Sequence, residues 1–91
     1  MLFMVKMDVT APTSGDIEAF EALKATEKQR ALELQKAGKW RHLWRVAGQY
    51  ANVSIFDVTD ADELHLLLTD LPLFPFMKIE VTALCRHPSA L

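Results

Sequence analysis

The chain has 91 residues, room for one small domain spanning residues 1–91 and no second. Hydrophobic residues make up 51% and charged residues 24%, with only 3 Gly and 4 Pro, which excludes a disordered, collagen-like or low-complexity chain. A net charge of −2 leaves no basic footprint for nucleic acid, and the single cysteine, Cys85, has no intrachain partner, as expected in a reducing compartment. The apolar start, Met1-Leu-Phe-Met-Val, lacks a basic flank and meets charge at Lys6. It is too short for a signal segment or a membrane span, so a soluble cytoplasmic domain with no membrane partner is expected.

From Leu2 to Val9 the residues alternate. Phe3, Val5, Met7 and Val9 share one face of a strand, and Leu2, Met4, Lys6 and Asp8 the other. Turn residues from Ala11 to Gly15 break it. From Asp16 to Ala37 the period becomes helical, with Asp16 or Ser14 as the cap and Gly38 at the end. Phe20, Leu23, Ala31 and Leu34 form an apolar stripe, and Glu27 falls in its middle, with Lys24 and Lys28 on the same turns.

Trp40 to Ala47 reads as a strand, Gly48-Gln49 as a tight connection, and Tyr50 to Val58 as the returning strand. Thr59 to Asp62 has the spacing of a capping box, followed by a helix that buries Leu64, Leu67, Leu68 and Leu71 and stops at Pro72. Leu73 to Phe76 forms a rigid apolar link, Met77 to Val81 a last strand, and Cys85 to Leu91 an irregular tail. Strand, helix, strand, strand, helix, strand folds as a ferredoxin-like split βαβ sandwich of the α+β class, an antiparallel four-stranded sheet with two helices on one face. The bare face calls for a second copy of the chain.

Glu27 is the leading candidate for chemistry. Burial raises a carboxyl's pKa toward the range useful for proton abstraction; the alternative is a structural Glu paired with lysine or set at a subunit edge. Lys6, a cation on an apolar strand, can neutralise an anionic intermediate or simply extend its ammonium to water. By strict alternation Arg41, Leu43 and Arg45 project one way, and Trp40, His42 and Trp44 the other. Arg45 suits a substrate carboxylate, and Asn52 and Ser54, on one face with Phe56, can fix a ligand's polar edge. His42, His65, His87 and Cys85 show no zinc spacing, and no phosphate loop, nucleophile elbow or dinucleotide fingerprint occurs. Chemistry without metal or cofactor, or plain binding, is expected.

Six blocks resemble the muconolactone Δ-isomerase family: Met1-Leu-Phe-Met-Val-Lys-Met7, Leu23-Lys-Ala-Thr-Glu-Lys28, Gly38-Lys-Trp-Arg-His-Leu-Trp-Arg45, Tyr50-Ala-Asn-Val-Ser-Ile-Phe-Asp57, Leu71-Pro-Leu-Phe-Pro-Phe76 and Leu84-Cys-Arg-His-Pro-Ser89. Met4 departs from the His that relatives often carry there. The resemblance implies a subunit that dimerises and builds a ring-like decamer. It also implies a cofactor-free shift of a ring double bond in the catechol branch of the β-ketoadipate pathway, from muconolactone to 3-oxoadipate enol-lactone. In that scheme Glu27 is base and then acid, Lys6 steadies the dienolate oxygen, and Arg45, with Tyr50, Asn52 or Ser54, holds the acetate arm. A related 5-chloromuconolactone dehalogenase and a non-catalytic oligomer that binds a small ligand are the alternatives.

Overall fold

The structure, a computed structural model, describes residues 1–91. Its elements are β1 (Leu2–Val9), α1 (Ile17–Lys36), β2 (Trp40–Arg45), β3 (Ala51–Asp57), α2 (Ala61–Thr69), a 3₁₀ turn (Phe74–Phe76) and β4 (Met77–Leu84). The sheet order is β2-β3-β1-β4 with every pairing antiparallel, the split βαβ arrangement expected from the element order.

Alternation along β1 divides the molecule into an inner and an outer side. Phe3, Val5 and Met7 point inward and are buried under both helices, in one core with Ala31 and Leu34 of α1 and Leu64 and Leu68 of α2. Trp40 stacks on Phe56 within that core, ring centroids 4.8 Å apart. Met4, Lys6, Trp44, Val53 and Ile55 belong to the outer side, which no helix covers; Trp44 is 56% exposed and stacks on His42 at 5.1 Å. No helix is long and apolar enough to cross a membrane.

Local chemistry explains the helix ends. Asp16 caps α1 by accepting from Ala19 N–H at 3.0 Å, and Gly38 follows the C-cap at φ 79°, a conformation that favours glycine. The cap of α2 lies one residue later than the Thr59–Asp62 spacing suggested. Asp60 accepts from Glu63 N–H at 2.9 Å, while Glu63 reaches back to Thr59 N–H at 2.8 Å. Glu63 also meets Lys39 at 2.6 Å, and the Lys39 hydrogen bond holds its carboxyl below the ordinary carboxylate value.

Three further expectations change. β2 ends at Arg45 and β3 starts at Ala51, so residues 46–50 form the connection, with Gly48 at φ 80°. β4 runs to Leu84 rather than Val81 because β1 offers it partners along its whole length, to the pair Leu2–Leu84. The alternation of β2 fails at Arg41, where a bulge separates Trp40, opposite Phe56, from His42, opposite Ile55. Trp40 therefore shares the inner side with Leu43 and Arg45, and only His42 and Trp44 face outward.

The position of the second cap is open to measurement. Asp60→Ala should destabilise the fold by about 1 kcal/mol in urea titration, the usual worth of an N-cap side chain, while Thr59→Ala leaves the transition nearly unmoved.

Candidate active site

Helix α1 crosses the inner side of the sheet, and Glu27 lies at the centre of the face it presents. The carboxylate is half-buried, and its Oε1 accepts from Leu73 N–H at 3.0 Å. That amide is available because Leu73 opens the 3₁₀ turn behind Pro72, where no carbonyl of the preceding helix takes it up. Oε2 has neither a hydrogen bond nor an ion pair within the protein. Desolvation by burial raises the Glu27 carboxyl above its ordinary value of 4.5, and the Leu73 amide opposes that shift without cancelling it.

Glu27 opens into a cavity of about 480 Å³ between α1 and the sheet, within the range of about 300–1,000 Å³ typical of small-molecule sites. The helix contributes Lys24, Glu27, Lys28 and Gln35 to its walls; the strands contribute Val9, Leu43, Arg45, Asn52 and Met77, and Tyr50 stands at the hairpin. Trp40, whose buried indole N–H finds no acceptor in the protein, also lines it. Tyr50 sits between two cations, with Arg45 Cζ 5.5 Å and Lys24 Nζ 6.0 Å from its ring centroid. Of these cations, Lys24 is already engaged with Glu21 at 3.3 Å, whereas Arg45 meets only the Gln49 carbonyl, at 3.5 Å. The arrangement is one unpartnered carboxylate oxygen, three surrounding cations and apolar walls, suited to a small anion that carries an acidic carbon. No group of three or more His, Cys, Asp or Glu side chains is placed to hold a metal ion.

Of the residues singled out in the sequence, Glu27, Arg45, Tyr50 and Asn52 come together here. Lys6 does not. It projects from the outer side of β1, flanked by Val53 and Glu80 on the neighbouring strands, with the sheet between it and Glu27. Even positions on β1 cannot reach the helix-covered side, so Lys6 and Glu27 of one subunit do not share a site. Ser54 is fully buried and absent from the cavity wall; its hydroxyl donates to Asn52 Oδ1 at 2.8 Å. It supports a wall residue instead of touching a ligand.

Lys24 and Lys28 carried a legible signal, since each lies within one helical turn of Glu27. The Leu73 amide carried none, because any residue supplies a backbone N–H.

Known proteins match the chain along its length. The family model described as muconolactone delta-isomerase matches residues 1–90. Muconolactone Delta-isomerase 1 of Acinetobacter lwoffii is 57% identical over 91 residues, covering 100% of this chain and 95% of its own. The Pseudomonas aeruginosa enzyme of that name is 56% identical with the same coverage, and that of Rhodococcus opacus 51% identical, covering 97% of this chain and 95% of its own. A crystal structure of muconolactone isomerase superposes with a TM-score of 0.94 at 56% identity, covering 100% of this chain and 95% of that one. With the fold, the cavity and these full-length matches in agreement, the chain belongs to the muconolactone Δ-isomerase family.

Proposed function

We propose that the chain isomerises muconolactone to 3-oxoadipate enol-lactone by moving one proton within the substrate, with Glu27 as the carrier. The observation that carries this reading is the half-buried Glu27 carboxylate, one oxygen held by Leu73 N–H and the other free in a cavity lined by cations.

In the substrate the ring carbonyl is conjugated with a C=C bond, and the γ carbon, which bears the acetate arm, holds an acidic proton. Glu27 Oε2 takes that proton, and the electron pair released from the C–H bond spreads through the ring to the lactone oxygen as a dienolate. The Glu27 carboxylic acid then returns the proton to the α carbon, leaving the double bond between the β and γ carbons. Nothing is oxidised or consumed, so no cofactor is needed. A raised carboxyl pKa improves both halves: it strengthens the base and keeps the acid protonated until the second transfer. Arg45 offers a planar two-pronged donor for the acetate carboxylate, and Tyr50 braces the guanidinium from one side. Leu43, Ala31, Leu32 and Met77 keep the wall apolar and limit protonation of the dienolate by water.

Dehalogenation of 5-chloromuconolactone gains no support from Met4, which lies on the outer side of β1, between Ile55 and Thr82, and off the cavity wall. Self-association belongs to the same reading. Both helices cover one side of the sheet, and Met4 and Trp44 stay exposed on the other, so a dimer as building block and a decamer as the complete particle would cover what one chain leaves bare. A free, exposed Cys85 fits a reducing cytoplasm.

Four measurements test the proposal. The parent chain should convert muconolactone, and Glu27→Gln should lower kcat by about 10²–10⁴-fold, the usual contribution of a positioned general base; turnover within a few-fold of the parent removes Glu27 from the role. The pH profile should show an acid limb displaced upward from the ordinary glutamate value of 4.5, because the base must be ionised, and Glu27→Gln should lack it. Stability follows the opposite sense. A carboxyl raised by burial favours the folded state fully below its unfolded value near 4.5, and that favour is lost as pH rises through the folded pKa. Thermal unfolding at pH 7 should therefore find Glu27→Gln at least as stable as the parent. Light scattering at micromolar concentration should give a mass several times that of one chain; a monomer overturns the assembly reading.

A further inference from the structure

With Lys6 behind the sheet, the dienolate oxygen needs a donor on the sheet side of the cavity, and Ser54 shows where one lies. Ser54 is the one buried polar side chain of the chain, 0% exposed, set on β3 between Val5 of β1 and Leu43 of β2. A hydroxyl in such surroundings must donate its hydrogen or bear the full desolvation cost of an unmade bond. It donates to Asn52 Oδ1 at 2.8 Å, two residues away on the same side of the strand, and makes no other side-chain hydrogen bond. With the Asn52 amide turned over, Nδ2 would face Ser54 Oγ and the buried hydroxyl hydrogen would have no acceptor. The buried serine thus fixes which end of the amide it occupies. Oδ1 is spent, and the two N–H bonds of Nδ2, without a protein partner, remain for the cavity that Asn52 lines.

The other uncharged side-chain amide of the cavity is already committed through its donor, since Gln35 Nε2 bonds the Ala31 carbonyl. Asn52 reaches the cavity from the sheet and Glu27 from the helix above it, so base and donor stand on different walls. A ring held between them can lose a proton to one wall while its carbonyl oxygen receives a hydrogen bond from the other. We propose that Asn52 Nδ2–H donates to the lactone carbonyl oxygen and stabilises the dienolate, and that Ser54 is the positioning residue that holds the amide in the donating orientation. The assignment rests on the isomerase reading and extends it: the site selects a substrate whose charge develops on a carbonyl oxygen, and the electrophile is a neutral amide.

Asn52→Asp separates this role from a structural one. The carboxylate still accepts from Ser54, so the buried hydroxyl stays satisfied and the fold survives, but the donor becomes an anion facing the developing charge. The assignment expects kcat for muconolactone to fall at least 10²–10³-fold, the usual effect of losing an oxyanion donor, with thermal unfolding close to the parent's. Asn52→Ala, which removes donor and acceptor together, should lose a comparable factor in kcat with KM changed only a few-fold. If Asn52 serves only to satisfy Ser54, Asn52→Asp is the conservative change and retains turnover, whereas Asn52→Ala loses stability and keeps kcat. Either folded variant within about three-fold of the parent kcat overturns the assignment. Turnover by the parent is read first: its absence overturns the isomerase reading and this assignment with it, while an active parent beside an equally active Asn52→Asp variant overturns this assignment alone.

Discussion

A carboxylate on the inward face of a helix needs a partner from elsewhere in the fold, and here that partner is one backbone amide 46 residues along the chain. Leu73 N–H reaches Glu27 because α2 ends at Thr69 and Leu73, at the head of the 3₁₀ turn, has no backbone carbonyl as partner. One donor keeps the carboxylate inside the fold and leaves Oε2 free. Several donors would have drawn its pKa down. With none, the desolvated group would have turned to solvent. The arrangement ties the Glu27 carboxylate to the linker between α2 and β4, a segment whose one charged side chain, Asp70, faces Arg30 at 3.8 Å instead.

The second organising fact is that the sheet is a partition. Inner and outer residues differ by one position in sequence, yet they occupy separate worlds: Val5 is under the helices and Lys6 is not. Charge follows that division. Around the cavity, Lys24, Lys28 and Arg45 outnumber the single unpaired acid, whereas on the outer side β1 and β4 set opposite charges across from each other, Lys6 by Glu80 and Asp8 by Lys78. On the inner side Lys28 and Arg45 have no ion-pair partner; the outer charges face their complements.

Most of the fold was legible in the sequence because its signals are local and periodic. Phe3, Val5 and Met7 fell on one face of a strand, Asp16 and Gly38 bracketed a helix, and Glu27 stood out as a misfit among Phe20, Ala31 and Leu34. What escaped was set by tertiary pairing. The bulge at Arg41 is invisible to a rule of strict alternation, so Trp40 was expected on the wrong face. Lys6 and Glu27 each looked suited to chemistry, but only the side of β1 that meets the helices decides whether they can meet. Ser54 and Asn52 were seen as equals on one face; depth in the core, which alternation does not report, makes one of them the support of the other.

The bulge in β2 also bears on how such a strand tolerates change in length. Trp40 anchors one end of the strand in the core, and Arg45 delivers a guanidinium to the cavity from the other; they lie five positions apart, an odd interval that plain pleating would send to opposite sides. The extra residue at Arg41 corrects the parity. Between the anchor and the guanidinium, then, insertions and deletions are felt as odd or even before they are felt as long or short. Losing one residue would close the bulge and leave Trp40 and Arg45 both inside on a plain even interval, whereas gaining one beside the bulge would keep Trp40 seated and turn Arg45 to the outer face.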